Sequence, residues 1–270
     1  MENSSIHALV LTGFGINCDN ETASALTRAG AHADRVHLND ISADPSLLER
    51  YHILAVPGGF SYGDDVGSGR ILANRLRYKL GDPLRKFVAD GKLVVGICNG
   101  FQVLAKMGML PMLSGDFIQE VTLTNNDSGR FEDRWVTLKV EPNTRCIWLK
   151  GIKQLELPVR HGEGKFIARD EAIMDQIENG GLVAVRYCRR DGELARGNFP
   201  ENPNGAHHDI AGICDTTGRV FGLMPHPEAY VDRLNHPRWY REKLPEEGAG
   251  LQVFRNAIEY ARENLCAASV

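Results

Sequence analysis

One cysteine of the sequence stands in a setting typical of a catalytic nucleophile. Cys98 lies within Gly96-Ile97-Cys98-Asn99-Gly100, between an apolar run that predicts a strand and a segment with helical spacing. A tight strand-to-helix turn projects its central side chain into a cleft, and flanking glycines leave room for that turn. The helix start would favour the thiolate, and the Asn99 N–H would be free to face an oxyanion. A cysteine among apolar residues is more often an inert core residue, but the two glycines favour a nucleophile.

A proton carrier and its orienting carboxylate are predicted in residues 224–228 (MPHPE). The two prolines favour extended backbone, in which residues i and i+2 project to the same side. Glu228 can therefore reach one imidazole nitrogen of His226 while the other nitrogen faces Cys98. This is the nucleophile, base and orienter of a catalytic triad, although a His-Pro-Glu tripeptide alone is more often a simple turn.

A glycine-rich loop, residues 57–65 (PGGFSYGDD), follows a further strand pattern. The loop lacks G-x-x-x-x-G-K-[ST] and does not fit G-x-G-x-x-G, so nucleotide binding is not indicated. Such a loop can instead present a backbone N–H, here that of Gly59 or Phe60, as the second half of an oxyanion hole. A plain turn is the alternative.

Two other histidine-containing segments are predicted to have no catalytic or metal-binding role. Adjacent side chains of His207-His208-Asp209 would point to opposite faces of an extended chain, and no further ligand stands at metal-site spacing. We therefore expect no metal. His236-Pro237 is followed by Arg238, a cation where an orienting carboxylate would be needed, and surface structure is predicted there.

The elements that must position these residues are predicted from hydrophobic periodicity. In the first half, short apolar runs alternate with amphipathic segments, which indicates an α/β fold with a mainly parallel central sheet flanked by helices. Beyond Gly108 the pattern is richer in strands, which indicates additional antiparallel strands in the second half. The predicted strands are 6–11, 36–38, 52–56, 93–97, 117–123, 135–140, 154–159, 182–187, 210–214 and 220–224. The predicted helices are 19–29, capped by Asp19 and Thr22 and ended by Gly30, then 82–89 with Pro83 in its first turn, 101–107, 170–177 and 251–264.

Composition and charge limit the functional classes. The chain has 270 residues, of which 43% are hydrophobic and 24% are charged, and we expect a single domain spanning 1–270. A net charge of -4 without a basic run favours neither nucleic acid nor a membrane surface as a partner. The N-terminal segment has no long apolar run, and six scattered cysteines lack a C-x-x-C pair. We therefore expect a cytoplasmic protein with reduced thiols.

Together, these motifs resemble the class I glutamine amidotransferases, which carry a cysteine elbow and a His-x-Glu segment in this order. At a closer level, the motifs resemble the family of glutaminases that serve phosphoribosylformylglycinamidine synthase in purine biosynthesis. Five motifs carry the resemblance: 58–64 (GGFSYGD), 96–102 (GICNGFQ), 161–164 (HGEG), 202–205 (NPNG) and 224–228 (MPHPE). Asn17-Cys18-Asp19 also fits the N-terminal motif of that family.

The resemblance implies a flavodoxin-like fold and hydrolysis of L-glutamine to glutamate and ammonia through a cysteine thioester. Carried over by motif, Cys98 is the nucleophile, His226 the acid/base and Glu228 its orienter. Gly59 and Asn99 are implied as the oxyanion donors.

The glutamine site and the partner are also implied by the resemblance. Gln102 and the backbone near Phe60 and His161 would hold glutamine. The ammonia would pass to a synthetase on another chain, which uses ATP to convert formylglycinamide ribonucleotide to its amidine. ATP and Mg are expected on that partner and no cofactor on this chain, and a small accessory subunit could join the complex.

The sequence departs from the separate-subunit pattern in two segments. Residues 65–69 (DVGSG) stand where YLRAG is commoner, and residues 126–134 look more like the glutaminase end of the large single-chain enzyme. The segment of residues 232–248 is also longer than its counterpart in the separate-subunit pattern. The only role that the sequence suggests for it is a contact surface. Two alternatives are a free-standing cysteine hydrolase and a non-catalytic regulatory subunit on the same fold. The intact triad argues against the second alternative.

Overall fold

The computed structural model describes residues 5–266, which form an α/β fold around a nine-stranded sheet. The strands are β1 (His7–Thr12), β2 (His32–His37), β3 (Ile53–Val56), β4 (Leu93–Ile97), β5 (Val121–Thr124), β6 (Glu132–Val140), β7 (Gln154–His161), β8 (Lys165–Ala168), β9 (Val183–Cys188), β10 (Ile210–Cys214) and β11 (Val220–Leu223). The helices are α1 (Asp19–Ala29), α2 (Leu38–Ala43), α3 (Arg70–Ala89), α4 (Asn99–Met107), α5 (Glu171–Asn179) and α6 (Leu251–Asn264).

The large sheet has a parallel part and an antiparallel part. Its strand order is β2-β1-β3-β4-β11-β10-β9-β6-β7. The pairs from β2 to β11 are parallel, and those from β11 to β7 are antiparallel. Strands β5 and β8 form a separate antiparallel pair. The predicted α/β class, with additional antiparallel strands in the second half, is confirmed.

Three adjacent parallel strands end at one edge of the sheet. Val56 of β3 pairs with Gly96 of β4, and Gly96 pairs with Gly222 of β11. Because parallel neighbours present their carboxyl ends at the same edge, the segments that follow β3, β4 and β11 must converge there. These segments are the glycine-rich loop, the Cys98 turn and residues 224–228.

Helix α3 is longer than the sequence predicts. The prediction of a helix that begins at Asp82-Pro83 is wrong, because α3 begins at Arg70 and contains Pro83. Leu76, Leu80 and Leu84 are buried on one face of the helix. Burial of this continuous apolar face outweighs the local signal of the proline, which removes one backbone hydrogen bond.

Other differences arise at the periphery of the fold. Strand β2 covers His32–His37 rather than 36–38, and it lies at the sheet edge, where its mostly accessible side chains give no apolar alternation. Helix α1 has the predicted bounds and ends at Gly30, but neither Asp19 nor Thr22 caps it, since Cys18 occupies the N-cap position. Strand β8 was not predicted.

Candidate active site

Cys98 occupies a strained turn between β4 and α4. Its φ of 52° and ψ of -106° lie in a region that side chains rarely adopt. Such a conformation costs about 1–3 kcal/mol and persists only where the surroundings impose it. Here the Cys98 N–H donates to the carbonyl of Leu223 at 2.8 Å. The side chain is 5% exposed, and its Sγ lies 3.6 Å from the carbonyl oxygen of Arg160.

The two glycines of the turn are required by close packing. A Cβ on Gly100 would lie 1.8 Å from the carbonyl oxygen of Val56, and a Cβ on Gly96 would lie 2.6 Å from the carbonyl oxygen of Gly100. Side chains cannot occupy these positions without moving β3 and β4 away from α4. The glycines therefore let the helix start against the strands and hold the cysteine at the sheet edge.

His226 and Glu228 form a buried pair beside Cys98. Nδ1 of His226 lies 2.6 Å from Oε1 of Glu228, as the i, i+2 spacing predicts. The two residues are 2% and 3% exposed. The backbone N–H of His226 donates to the carbonyl of Pro158 at 2.8 Å, which anchors the extended segment to β7.

The protonation of His226 is controlled by its neighbours. Burial alone would lower the pKa of the imidazole, but the Glu228 carboxylate and then Cys98 raise that pKa well above its ordinary value. The raised pKa favours an imidazolium beside the cysteine. The side chains that the sequence assigns to a triad are thus brought together in an arrangement that can separate a thiol proton from its sulfur.

The oxyanion donors predicted for this site are backbone N–H groups of the glycine-rich loop and of Asn99. The N–H of Phe60 donates to the carbonyl of Gly15 at 2.7 Å, so it is already engaged. The N–H of Gly59 has no acceptor among the described residues. Gly59 has a φ of 149°, and a Cβ there would lie 2.5 Å from the oxygen of Gly15. The backbone N–H of Asn99 lies at the first position of α4. It has no hydrogen-bond partner within the helix, because the first N–H groups of a helix have no preceding helical carbonyl to donate to. Of the two loop candidates, the geometry favours Gly59.

The side chains of Asn99 and Gln102 hold the loops around the turn. The Asn99 Nδ2 donates to Oε1 of Gln102 at 2.8 Å, and its Oδ1 accepts the N–H of Ser61 at 3.2 Å. The Gln102 Nε2 donates to the carbonyl of Glu163 at 2.6 Å. Both ends of the Gln102 amide are therefore used by protein groups, and a direct contact with glutamine stays a prediction.

His161 is a neutral, fixed histidine at the end of β7. Its Nδ1 lies 3.1 Å from Oδ1 of Asn126, and its Nε2 lies 3.4 Å from Nδ2 of Asn204. Burial, together with the nearby charge of His226, lowers the pKa of His161 to about 3. His161 therefore carries no charge near neutral pH.

A cavity of about 510 Å³ opens beside the turn. Its lining includes Phe60, which is 44% exposed, together with Asp64, Arg130, Phe131 and Glu163. The cavity joins the glycine-rich loop to the segment after His161, and of the residues predicted to hold glutamine only Phe60 lines it. Its charged groups have both signs.

Cys18 was not predicted to belong to the site. Its Sγ lies close to the side chains of both His226 and Glu228. The only local signal was the likeness of residues 17–19 to a family motif, which does not indicate a contact with a residue so distant in sequence.

The remaining histidine motifs make structural contacts. Asp209 accepts the N–H groups of Arg196 and Gly197. The prediction of surface structure at His236 is wrong, because this side chain is 2% exposed and packs against Trp135.

The parallel sheet edge, the glycine-flanked cysteine turn and the buried His–Glu pair define the class as a glutamine amidotransferase, and residues 5–261 match the model of the CobB/CobQ-like glutamine amidotransferase domain. Phosphoribosylformylglycinamidine synthase subunit PurQ of Dehalococcoides mccartyi is 48% identical over 96% of this chain and 99% of its own length. The subunit of the same name from Methanococcus maripaludis (strain S2) is 43% identical over 93% of this chain and 96% of its own. The chain belongs to this PurQ family of glutamine amidotransferases.

A solved structure supports the same assignment. A chain of the structure described as PurLQS from Thermotoga maritima is 30% identical, covers 95% of this chain and 99% of its own, and superposes with a TM-score of 0.69. The chain therefore groups with separate subunits, although residues 65–69 and 126–134 differ from the sequence pattern that is commoner among them.

Proposed function

We propose that this chain is the glutaminase subunit of phosphoribosylformylglycinamidine synthase. It hydrolyses L-glutamine to glutamate and ammonia and delivers the ammonia to a synthetase on a partner chain, which uses ATP to convert formylglycinamide ribonucleotide to its amidine. The observation that carries the proposal is the 48% identity to a PurQ subunit over 96% of this chain. The buried His226–Glu228 pair beside the Cys98 turn supplies the chemistry.

The first half of the reaction forms a thioester. The Cys98 sulfur attacks the γ-carboxamide carbon of glutamine, and the carbonyl oxygen becomes an oxyanion that accepts the N–H groups of Gly59 and Asn99. His226 holds the proton taken from the thiol and gives it to the departing nitrogen, which leaves as ammonia. Glu228 keeps the imidazole in the required orientation through Nδ1.

The second half of the reaction returns the free enzyme. Water attacks the thioester carbon while His226 accepts one of its protons. The carbon–sulfur bond then breaks, glutamate leaves and Cys98 recovers its negative charge or its proton. The neutral state of His161 suits this site, because a second imidazolium would oppose the one on His226.

The cavity beside the turn accommodates the amino-acid end of glutamine. We expect the Arg130 guanidinium to pair with the α-carboxylate, and the carboxylate of Asp64 or Glu163, which also line the cavity, to pair with the α-ammonium. Phe60 and the backbone after His161 contact the aliphatic part. The side chain of Gln102 acts by holding the Glu163 segment in place.

Other parts of the proposal concern the assembly. The chain acts as one glutamine amidotransferase domain over 1–270 and carries no cofactor, with ATP and Mg bound on the synthetase. The structure described as PurLQS supports a complex with a synthetase partner, and a small accessory subunit stays a prediction. Within residues 5–266, none of the helices combines the length and apolarity needed to cross a membrane. We place the chain in the cytoplasm, with neither nucleic acid nor membrane as a partner.

The proposal is tested by reconstitution. Glutamate release is measured for the purified chain alone, and then with its synthetase, formylglycinamide ribonucleotide and ATP. We expect weak activity alone and a strong rise in the complete mixture. Full activity alone would indicate a free-standing hydrolase, and no activity in either mixture would indicate a non-catalytic subunit.

The Cys98→Ala variant separates the two half-reactions. It should abolish amidine synthesis from glutamine while synthesis from added ammonium chloride continues, because the synthetase site does not need the cysteine. Loss of both activities, with the complex still formed on a sizing column, would contradict a role of Cys98 limited to glutamine hydrolysis. Cys146→Ser provides a matched control, because Cys146 is a buried thiol outside the site.

A further inference from the structure

Cys18 lies in the active site although no step of the proposed mechanism uses it. Its Sγ, one ring nitrogen of His226 and one carboxylate oxygen of Glu228 all lie within 4.8 Å of one another. The thiol and the imidazole pack over the same glycine, since a Cβ on Gly58 would lie 3.3 Å from Sγ of Cys18 and 2.9 Å from Cε1 of His226. The Cys18 N–H also donates to the carbonyl of Gly58 at 3.2 Å, which fixes the backbone that carries the thiol.

Two polar atoms of this cluster have unused bonding capacity. Oε2 of Glu228 and Nε2 of His226 are buried and have no hydrogen-bond partner within the described part of the chain. Buried polar atoms are nearly always paired, because leaving one unpaired is costly. Both side chains are more than nine-tenths buried, so bulk water does not account for these atoms. Oε2 of Glu228 is therefore free to bind a ligand, and a metal ion would use a His226 ring nitrogen by displacing a proton from the imidazolium.

Thiolate, imidazole and carboxylate together form a ligand set that Zn²⁺ prefers, and zinc sites with three protein ligands keep a fourth position open. A tetrahedral zinc ion requires its sulfur and nitrogen ligands to lie about 3.5 Å apart, given Zn–S and Zn–N bonds of about 2.3 and 2.0 Å. A spacing of up to 4.8 Å can close to this value by rotation of Cys18, which is partly exposed. We propose that Cys18, His226 and Glu228 bind Zn²⁺ or a similar divalent transition-metal ion and that this ion reversibly blocks the active site.

The inhibition follows from which groups the metal would occupy. A metal bound to the His226–Glu228 pair stops the imidazole from accepting or donating the proton that each half-reaction needs. The binding claim depends only on the geometry, whereas the inhibition claim rests on the proposed glutaminase function.

Binding is tested with cobalt chloride as a spectroscopic probe, because a thiolate ligand gives Co²⁺ a charge-transfer band that nitrogen and oxygen ligands do not. A second ligand group, His7, His32 and Asp34, is partly exposed on β1 and β2, so every protein carries His32→Ala to remove it. We expect the band in this background and its loss on adding Cys18→Ser or Cys18→Ala, with melting curves to establish that the variants fold.

Two further variants identify the ligand. Cys266→Ser is the matched control, because Cys266 is another partly exposed thiol beside a histidine, with Sγ 3.9 Å from Nε2 of His52. The band should survive in this variant and also in Cys98→Ala. A band that persists in folded Cys18→Ser, or that is lost in Cys98→Ala but not in Cys18→Ser, would overturn the assigned ligand set.

Inhibition is tested separately in the reconstituted complex. Zinc chloride should inhibit glutamine hydrolysis, and EDTA should restore it. The zinc concentration for half inhibition should rise at least about tenfold in Cys18→Ser, each protein being compared with its own zinc-free rate, since even indirect changes near a metal cost about 10- to 100-fold in affinity. Active complex that binds cobalt but is unaffected by zinc would refute the blocking role. An inactive complex that still binds cobalt through Cys18 would instead refute the proposed function and leave the metal site standing.

Discussion

The Glu228→Gln substitution should lower turnover by about 10- to 10⁴-fold while leaving the KM for glutamine nearly unchanged. The lower part of this range comes from the bond itself, because Nδ1 of His226 lies 2.6 Å from Oε1 of Glu228 and both groups are buried. A hydrogen bond to a charged group contributes about 1.5–3 kcal/mol, which equals about 10- to 150-fold at about 1.4 kcal/mol per factor of ten.

The upper part of the range comes from the orientation of the imidazole. A glutamine amide can donate its N–H to Nδ1 of His226 and thereby leave the ring proton on Nε2, where it prevents acceptance of a proton from Cys98. An equivalent carboxylate-to-amide change in a serine protease triad lowers turnover by about 10⁴-fold. Glutamine binding should persist, because the cavity residues Phe60, Arg130 and Glu163 do not contact Glu228 in any hydrogen bond of the described chain.

The assay is steady-state glutamate release by the reconstituted complex at saturating formylglycinamide ribonucleotide and ATP. Glu156→Gln is the matched control, because Glu156 also pairs with a buried histidine, His236, at 3.3 Å but lies outside the site. The reasoning fails if Glu228→Gln keeps the parental turnover, or if only its KM changes. An NMR titration of the ring nitrogens gives a second readout, since removal of the Glu228 charge should lower the raised pKa of His226.

Two further substitutions test the turn and the neutral histidine. Gly100→Ala should destabilise the fold by about 1–3 kcal/mol or more and reduce turnover, because its Cβ would lie 1.8 Å from the oxygen of Val56. Urea unfolding should show this loss, and Gly81→Ala in α3, where the nearest atom is 3.5 Å away, should show none. The pKa of His161 in the folded protein is depressed to about 3, below the value of about 6.5 in the unfolded chain. Folding therefore favours the neutral imidazole. The stability that this difference gives is present above about pH 6.5 and is lost as the pH falls from there towards 3. Between about pH 7.5 and about pH 5 the parent should therefore lose about 2 kcal/mol more than folded His161→Gln, and equal losses would show that His161 is protonated in the native state.

The parts of the site that depend on neighbouring residues could be predicted from the sequence. The glycines around Cys98 signal the turn directly, because only close packing of strand and helix needs them at both positions. The spacing of His226 and Glu228 predicted their contact, since two prolines leave little conformational choice. Helix α6 was predicted with its observed bounds because it combines a strong apolar face with turn residues before it.

The parts that depend on distant segments could not be predicted. Whether Gly59 or Phe60 offers a free N–H is decided by Gly15, whose carbonyl accepts the Phe60 N–H from a different loop. The contact of Cys18 with His226 requires the loop after β1 to reach across β3 and β4 towards the end of β11. Helix α3 began earlier than predicted because its buried leucines pack on elements that no local pattern identifies.

The curvature of the sheet is the feature on which the site depends most and which the sequence reveals least. Strand β7 stands five places from β4 in the strand order, which in a flat sheet would separate them by about 24 Å. Yet the carbonyl of Arg160 in β7 lies 3.6 Å from Sγ of Cys98, and that of Pro158 accepts the His226 N–H at 2.8 Å. The antiparallel part must therefore curl until its last strand covers the carboxyl ends of the parallel part. His161 and the segment after it reach the cysteine only because of this closure, so substitutions in the intervening β9 and β6 should disturb catalysis without touching a residue of the triad.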